Sequence, residues 1–164
     1  MFEAYLDIET TGLSSLYNYI TVIGIYLVNG GRAKVVQLVD KEVTPKNLLA
    51  NMEDVHIIYT YNGKRFDLPF INDALGVNLH DHCRHHDLMY DCWRCNLRGG
   101  FKAVEAQLGI PRKLKGVNGY EAVLLWWDYK NYGDRRALKR LLRYNQEDVV
   151  NLKALRERLP VEEG

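Results

Sequence analysis

The chain is poor in cysteine and has no long apolar run, and each shortage excludes a class of protein. Cys83, Cys92 and Cys95 are an odd number and too few for a disulfide scaffold, in keeping with a reducing compartment. No stretch approaches the roughly 18 consecutive apolar residues of a membrane span. Glu3, Asp7 and Glu9 stand near the start, where a secretory signal would carry basic and then apolar residues. The expectation is a soluble, cytoplasmic protein that meets no membrane. Internal repeats, low-complexity tracts and disorder-prone segments are also missing. What is there, 47% hydrophobic and 26% charged residues in a chain of 164, is ordinary for a globular protein. The length suits one domain, 1–164, burying about two thirds of its unfolded surface.

The near-neutral net charge of +1 conceals an asymmetry. Residues 1–97 carry a net −4 and residues 98–143 a net +7. An acidic half suited to cations is followed by a basic segment suited to a polyanion, a pairing that fits a nuclease better than a small-molecule enzyme.

The chain is organised around Phe2–Thr10, FEAYLDIET. Phe2, Ala4, Leu6 and Ile8 alternate with Glu3, Tyr5, Asp7 and Glu9, the period of a strand with two unlike faces. Asp7 and Glu9 therefore point the same way. Like charges within roughly 7 Å resist joint ionisation unless a cation sits between them. A wet edge strand would also tolerate the pair, but two further acidic sites downstream favour a cation.

Two β-rich runs follow, Ile20–Val28 and Arg32–Asp40, with Asn29-Gly30 as the hairpin signal, so the first three strands should form an antiparallel meander. Thr44-Pro45 opens a short helix ending near Asp54, and Val55–Tyr61 reads as a fourth strand. The next helix spans Phe66–Leu75 with Asp67 as its expected N-cap. A fifth strand runs near Cys83–His86, and helices begin near Asp87, Phe101, Tyr120 and Asp134. The whole is an α/β layered domain on one mixed sheet.

The last helix, Asp134 to about Leu159, holds an anomaly. Leu138, Leu141, Leu142, Val149, Leu152, Leu155 and Leu159 fall on one stripe opposite Arg135, Arg136, Lys139, Arg140 and Arg143, yet Asp148 lies inside that stripe. A buried carboxylate needs a cation or a buried donor. Tyr144, one turn earlier, shares its face.

Three runs in this order, DIETTG (Asp7–Gly12), YNGKRFDLPF (Tyr61–Phe70) and YNQEDVVNL (Tyr144–Leu152), resemble the motifs of the DEDD superfamily of ribonuclease H-like 3′-to-5′ exonucleases, in its tyrosine branch. The second run is also similar to an exonuclease motif of family B DNA polymerases, and the C-terminal half to small free-standing bacterial and archaeal members. The resemblance implies a ribonuclease H-like three-layer fold with a mixed five-stranded sheet. It also implies phosphodiester hydrolysis with two Mg²⁺ or Mn²⁺ ions. Asp7 would bridge the ions, Glu9 and Asp148 would complete one site, Asp67 would hold the second through water, and Tyr144 would orient the attacking water. Thr11, Leu13, Asn62 and Phe66 would contact the terminal nucleotide.

The expected substrate is single-stranded nucleic acid with a free 3′ end, DNA before RNA. Arg112, Lys113 and Lys115 in one loop, with the basic helix face, Tyr129 and Tyr132, are expected to grip it. The competing class is a non-catalytic 3′-end binding module serving a nucleic-acid-processing partner protein. His80, His82, Cys83, His85, His86, Cys92 and Cys95 raise a zinc reading, but only one CxxC is present, and Cys92 and Cys95 share a helical face with Leu88, the spacing of core residues. Asp87 reads as the N-cap of that helix. At least one of Trp126 and Trp127 belongs to the core.

Overall fold

A computed structural model describes residues 1–160. Five strands, β1 (Phe2–Thr10), β2 (Ile20–Asn29), β3 (Arg32–Val39), β4 (Val55–Thr60) and β5 (Arg84–Asp87), form one sheet in the order β3-β2-β1-β4-β5. The first three are antiparallel, and β4 and β5 run parallel to β1. Six α-helices complete it: α1 (Pro45–Met52), α2 (Asp67–Leu75), α3 (Leu88–Arg94), α4 (Phe101–Leu108), α5 (Gly119–Tyr132) and α6 (Arg135–Arg158). This mixed sheet between helices is the expected ribonuclease H-like architecture. Among the described residues no helix is long and apolar enough to cross a membrane.

β1 lies mid-sheet with both faces covered. Ala4, Leu6 and Ile8 pack with residues of α1 and α2, while Tyr5 and Tyr59 pack with Leu88, Cys92, Leu152 and Leu155 beneath α3 and α6. The face of β1 that carries the carboxylates is therefore no wet edge; α6 covers it. Truncating a fully buried side chain such as Ile58 to alanine would cost roughly 2–5 kcal/mol.

Capping follows the sequence closely at three helices. Thr44 Oγ1 accepts from Asn47 N at 3.1 Å, Asp87 Oδ1 from Met89 N at 3.1 Å, and Asp134 Oδ1 from Arg136 N at 3.0 Å. Asp67 differs. It is the first residue of α2, Phe66 occupies the cap without a side-chain bond, and Asp67 Oδ2 instead accepts from Ile8 N of β1 at 3.0 Å. A parallel strand arriving beside the helix start offers a buried backbone donor, and that donor takes the carboxylate. The β2–β3 hairpin also turns one residue later than expected: Asn29 pairs with Arg32, so Gly30-Gly31 makes the turn, with Gly30 at φ +55°. Trp126 is the buried tryptophan, 1% exposed, with Nε1 donating to Tyr19 Oη at 3.0 Å; Trp127 is 37% exposed.

One glycine sets how near α6 approaches the sheet. Gly24 of β2 faces Asp7 in register, and a Cβ there would lie 2.1 Å from Asn145 Oδ1. The bare position lets Asn145 enter between strand and helix.

Candidate active site

A cleft of about 670 Å³ opens beside the C-terminal half of β1. Asp7 and Glu9 reach it from the strand, Asp148 and Tyr144 from α6 one turn apart. Carboxylate oxygens of Asp7, Glu9 and Asp148 lie within 4.8 Å of one another. Period-two geometry places the first two on one side, and α6 crossing that side brings the third.

Electrostatics reflect the crowding. Burial, then the charges of Asp148, Glu9 and Asp67, hold the Asp7 carboxyl well above the ordinary range. Burial and Asp148 push Glu9 up to about 8. Glu9 Oε1 is buried without a hydrogen-bond partner. Asp67 is pushed up to about 7, chiefly by burial, although its bond from Ile8 N pulls the other way. Its oxygens do not join the cluster of three. The Tyr144 hydroxyl is raised by burial and then by Asp148, Glu9 and Asp7, so it keeps its proton at neutral pH.

Thr11, Leu13 and Phe66 line the cleft, Leu13 fully in the open at 86% exposed and Phe66 against Phe70 with ring centroids 5.6 Å apart. Asn62 does not line it. That residue takes a left-handed backbone, φ +61°, and its N–H donates to Asp87 Oδ1 at 2.8 Å. Arg112 is turned inward rather than toward solvent. Its guanidinium donates to Asp148, and Nε donates to Glu105 Oε1 at 2.9 Å. Lys113 and Lys115 stay exposed outside the cleft, their loop tied down where Lys113 N and Leu114 N donate to Glu147 at 3.0 and 2.7 Å. Arg135, Arg136 and Lys139 are likewise exposed on α6, away from the cleft wall.

Several residues in or beside the cleft were not among the expected site residues. Lys102 of α4 donates to Tyr144 Oη and stands 4.4 Å from its ring centroid. Tyr61 and Phe101 stack at 5.2 Å, and Tyr120 and Val123 of α5 complete the wall. Asn145, 0% exposed, donates from Nδ2 to the Asp7 carbonyl at 3.3 Å and accepts from Gln37 at 3.0 Å. A polar residue between Tyr144 and Asp148 on the apolar stripe was the available hint for Asn145. In the His/Cys segment Cys92 is buried, whereas Cys95 lies past the end of α3 and is exposed, so the shared core face stops at Cys92. Among the described residues only Asp7, Glu9 and Asp148 bring three such ligand atoms together.

Comparison with known proteins adds relatives. YprB, an uncharacterized protein of Bacillus subtilis strain 168, is 32% identical over 92% of the chain, and the chain spans 40% of its length. Among solved structures, the apo form of a nuclease superposes with a TM-score of 0.64 at 20% identity, covering 95% of this chain and 70% of that one. Brucella melitensis NrnC superposes at 0.58 and 19% identity, covering 95% and 72%. Matched to that family over residues 4–160, the chain belongs to the RNase H superfamily.

Proposed function

We propose that this protein is a metal-dependent 3′-to-5′ exonuclease of the tyrosine branch of the DEDD nucleases, releasing nucleoside 5′-monophosphates from single-stranded ends, DNA before RNA. The observation that carries this reading is the convergence of the Asp7, Glu9 and Asp148 oxygens within 4.8 Å, in a cleft that also presents Tyr144.

The residues fit divalent ions. The donors are all carboxylate oxygens, the hard ligands that Mg²⁺ and Mn²⁺ take, and buried Glu9 Oε1 lacks any other partner. Asp7, Glu9 and Asp148 would hold one ion, with Asp7 shared and Asp67 serving a second through water. Bound there, the ions would supply an acidified water and offset charge on the leaving oxygen. NrnC, similar in fold, has been solved with bound Mg²⁺ (TM-score 0.52, 18% identity) and bound to pGG (0.53, 21% identity).

The chain's own groups divide the remaining tasks. Tyr144 Oη accepts from Lys102, which leaves its proton free to donate into the cleft toward a water or phosphate oxygen. Because that proton is held at neutral pH, Tyr144 acts by orienting rather than as a base. Lys102 adds a positive charge at the cleft where a phosphate would lie. Phe66 and Leu13 offer apolar surface to a base or sugar, and Thr11 a hydroxyl.

A time course on 5′-labelled single-stranded DNA and its RNA counterpart, with Mg²⁺, Mn²⁺ or chelator, tests the reading at single-nucleotide resolution. The expected result is a ladder shortening from the 3′ end that chelator abolishes. An intact strand bound by folded protein under every condition would refute it in favour of an end-binding module.

A further inference from the structure

We propose that a second nucleic-acid surface adjoins the cleft, with Lys64 and Arg65 lying over Tyr90 and Trp93, and that it holds the single strand 5′ to the end being trimmed. It rests on the exonuclease reading for its direction.

Continuity with the cleft is the first argument. Tyr61 and Phe66 both line the cleft wall, so the segment between them leaves that wall and returns to it. Lys64 and Arg65, at its outer bend, are exposed. Lys64 Nζ stands 5.6 Å from the Tyr90 ring centroid, and the Arg65 guanidinium 5.9 Å from Tyr90 and 5.4 Å from Trp93. The two rings sit one turn apart on α3, half-buried, and meet edge to face at 5.2 Å.

Rigidity is the second. Buried Asp87 accepts from Met89 N to cap α3, and the same carboxylate accepts from Asn62 N at 2.8 Å and Lys64 N at 3.1 Å. One side chain thus fixes the cationic bend against the aromatic helix, so the surface exists before any ligand arrives.

Its chemistry selects the occupant. Among the described residues neither Lys64 nor Arg65 has a carboxylate partner at ion-pair distance, whereas Arg94 is paired with Asp91. Two cations without an acidic partner suit phosphates, and the half-buried rings beside them suit unpaired bases. A duplex hides its base faces, and an acidic peptide would have no use for the rings. The sequence pattern placed the grip in the basic segment after residue 98; these residues stand before it.

The test is binding without turnover. Fluorescence anisotropy in chelator, on labelled single-stranded DNA of 2, 4, 8 and 12 nucleotides, should show affinity of the wild-type protein rising with length. Arg65→Glu and Trp93→Ala should each lose about tenfold on the 12-mer and flatten that rise, and Arg65→Glu should lower the salt dependence. Arg65→Glu alters an exposed side chain, so it keeps the test valid should Trp93→Ala fold poorly. Wild-type affinity for the 12-mer in a folded Arg65→Glu protein would overturn the proposal. A protein that hydrolyses nothing but keeps this length-dependent loss would refute the exonuclease reading and leave the surface standing.

Discussion

Arg112 donates to Asp148 while its Nε donates to Glu105, so one guanidinium joins the carboxylate cluster to a second buried acid. Burial alone would lower its proton affinity, and Asp148 and Glu105 more than reverse that. Arg112 is thus a counter-ion of the acidic site. Asn151 Nδ2 supports the far end, donating to Glu105 at 2.6 Å.

Removing that guanidinium strands Glu105, whose side chain is 2% exposed. Arg112→Gln should cost about 3 kcal/mol in urea unfolding, and Glu105→Gln in the same chain should restore part of it. A loss under about 0.5 kcal/mol would mean that the pair contributes nothing net.

Asp7, pressed by burial and three neighbouring carboxylates, is where metal dependence should be most visible. Mg²⁺ or Mn²⁺ at about 100 times its dissociation constant should stabilise the wild-type fold by ~2.7 kcal/mol. In chelator Asp7→Asn should melt no lower than wild type; it and Asp148→Asn should each lose the metal-induced rise in Tm and lose hydrolysis by more than roughly 10²-fold. Near-normal turnover in either variant would contradict the metal assignment.

Tyr144 keeps its proton and receives Lys102, so its loss should cost about one hydrogen bond in the transition state. Tyr144→Phe should slow hydrolysis about tenfold, near 1.4 kcal/mol, with metal-induced stabilisation intact. Complete inactivation with normal metal binding would instead make the hydroxyl indispensable.

His85 supplies a pH effect remote from the cleft. Burial lowers it from 6.5 to about 4, and Nε2 lies 2.8 Å from Thr60 Oγ1. A depressed folded value means that the unfolded chain takes the proton first. The stabilisation is full above pH 6.5 and is lost as pH falls through the window from 6.5 to 4. With the ring half exposed, the change should be at most about 1 kcal/mol. Urea unfolding at pH 7.5 and 5 should show wild type losing that stability relative to His85→Gln; equal pH profiles would refute it.

What was legible in the chain followed from local periodicity. Asp7 and Glu9 share a face because strands repeat every two residues, and Asp148 stood out because helical spacing put it among leucines. Caps at Thr44 and Asp87 were readable because a cap bonds amides two or three residues away. Asp67 misled for the opposite reason: its partner, Ile8 N, is 59 residues distant, and nothing local distinguishes that bond from a cap.

The sequence by itself determined the elements, the meander, and which carboxylates face one way along a strand or helix, since each depends on neighbours within a few positions. Only the tertiary structure decided that α6 settles against the sheet at bare Gly24 of β2, beside Asp7 of β1, that Arg112 turns inward, and that Lys102 and Tyr61 border the site. Those outcomes depend on how helices settle over a twisted sheet, where packing between distant segments, rather than spacing along the chain, sets which groups meet.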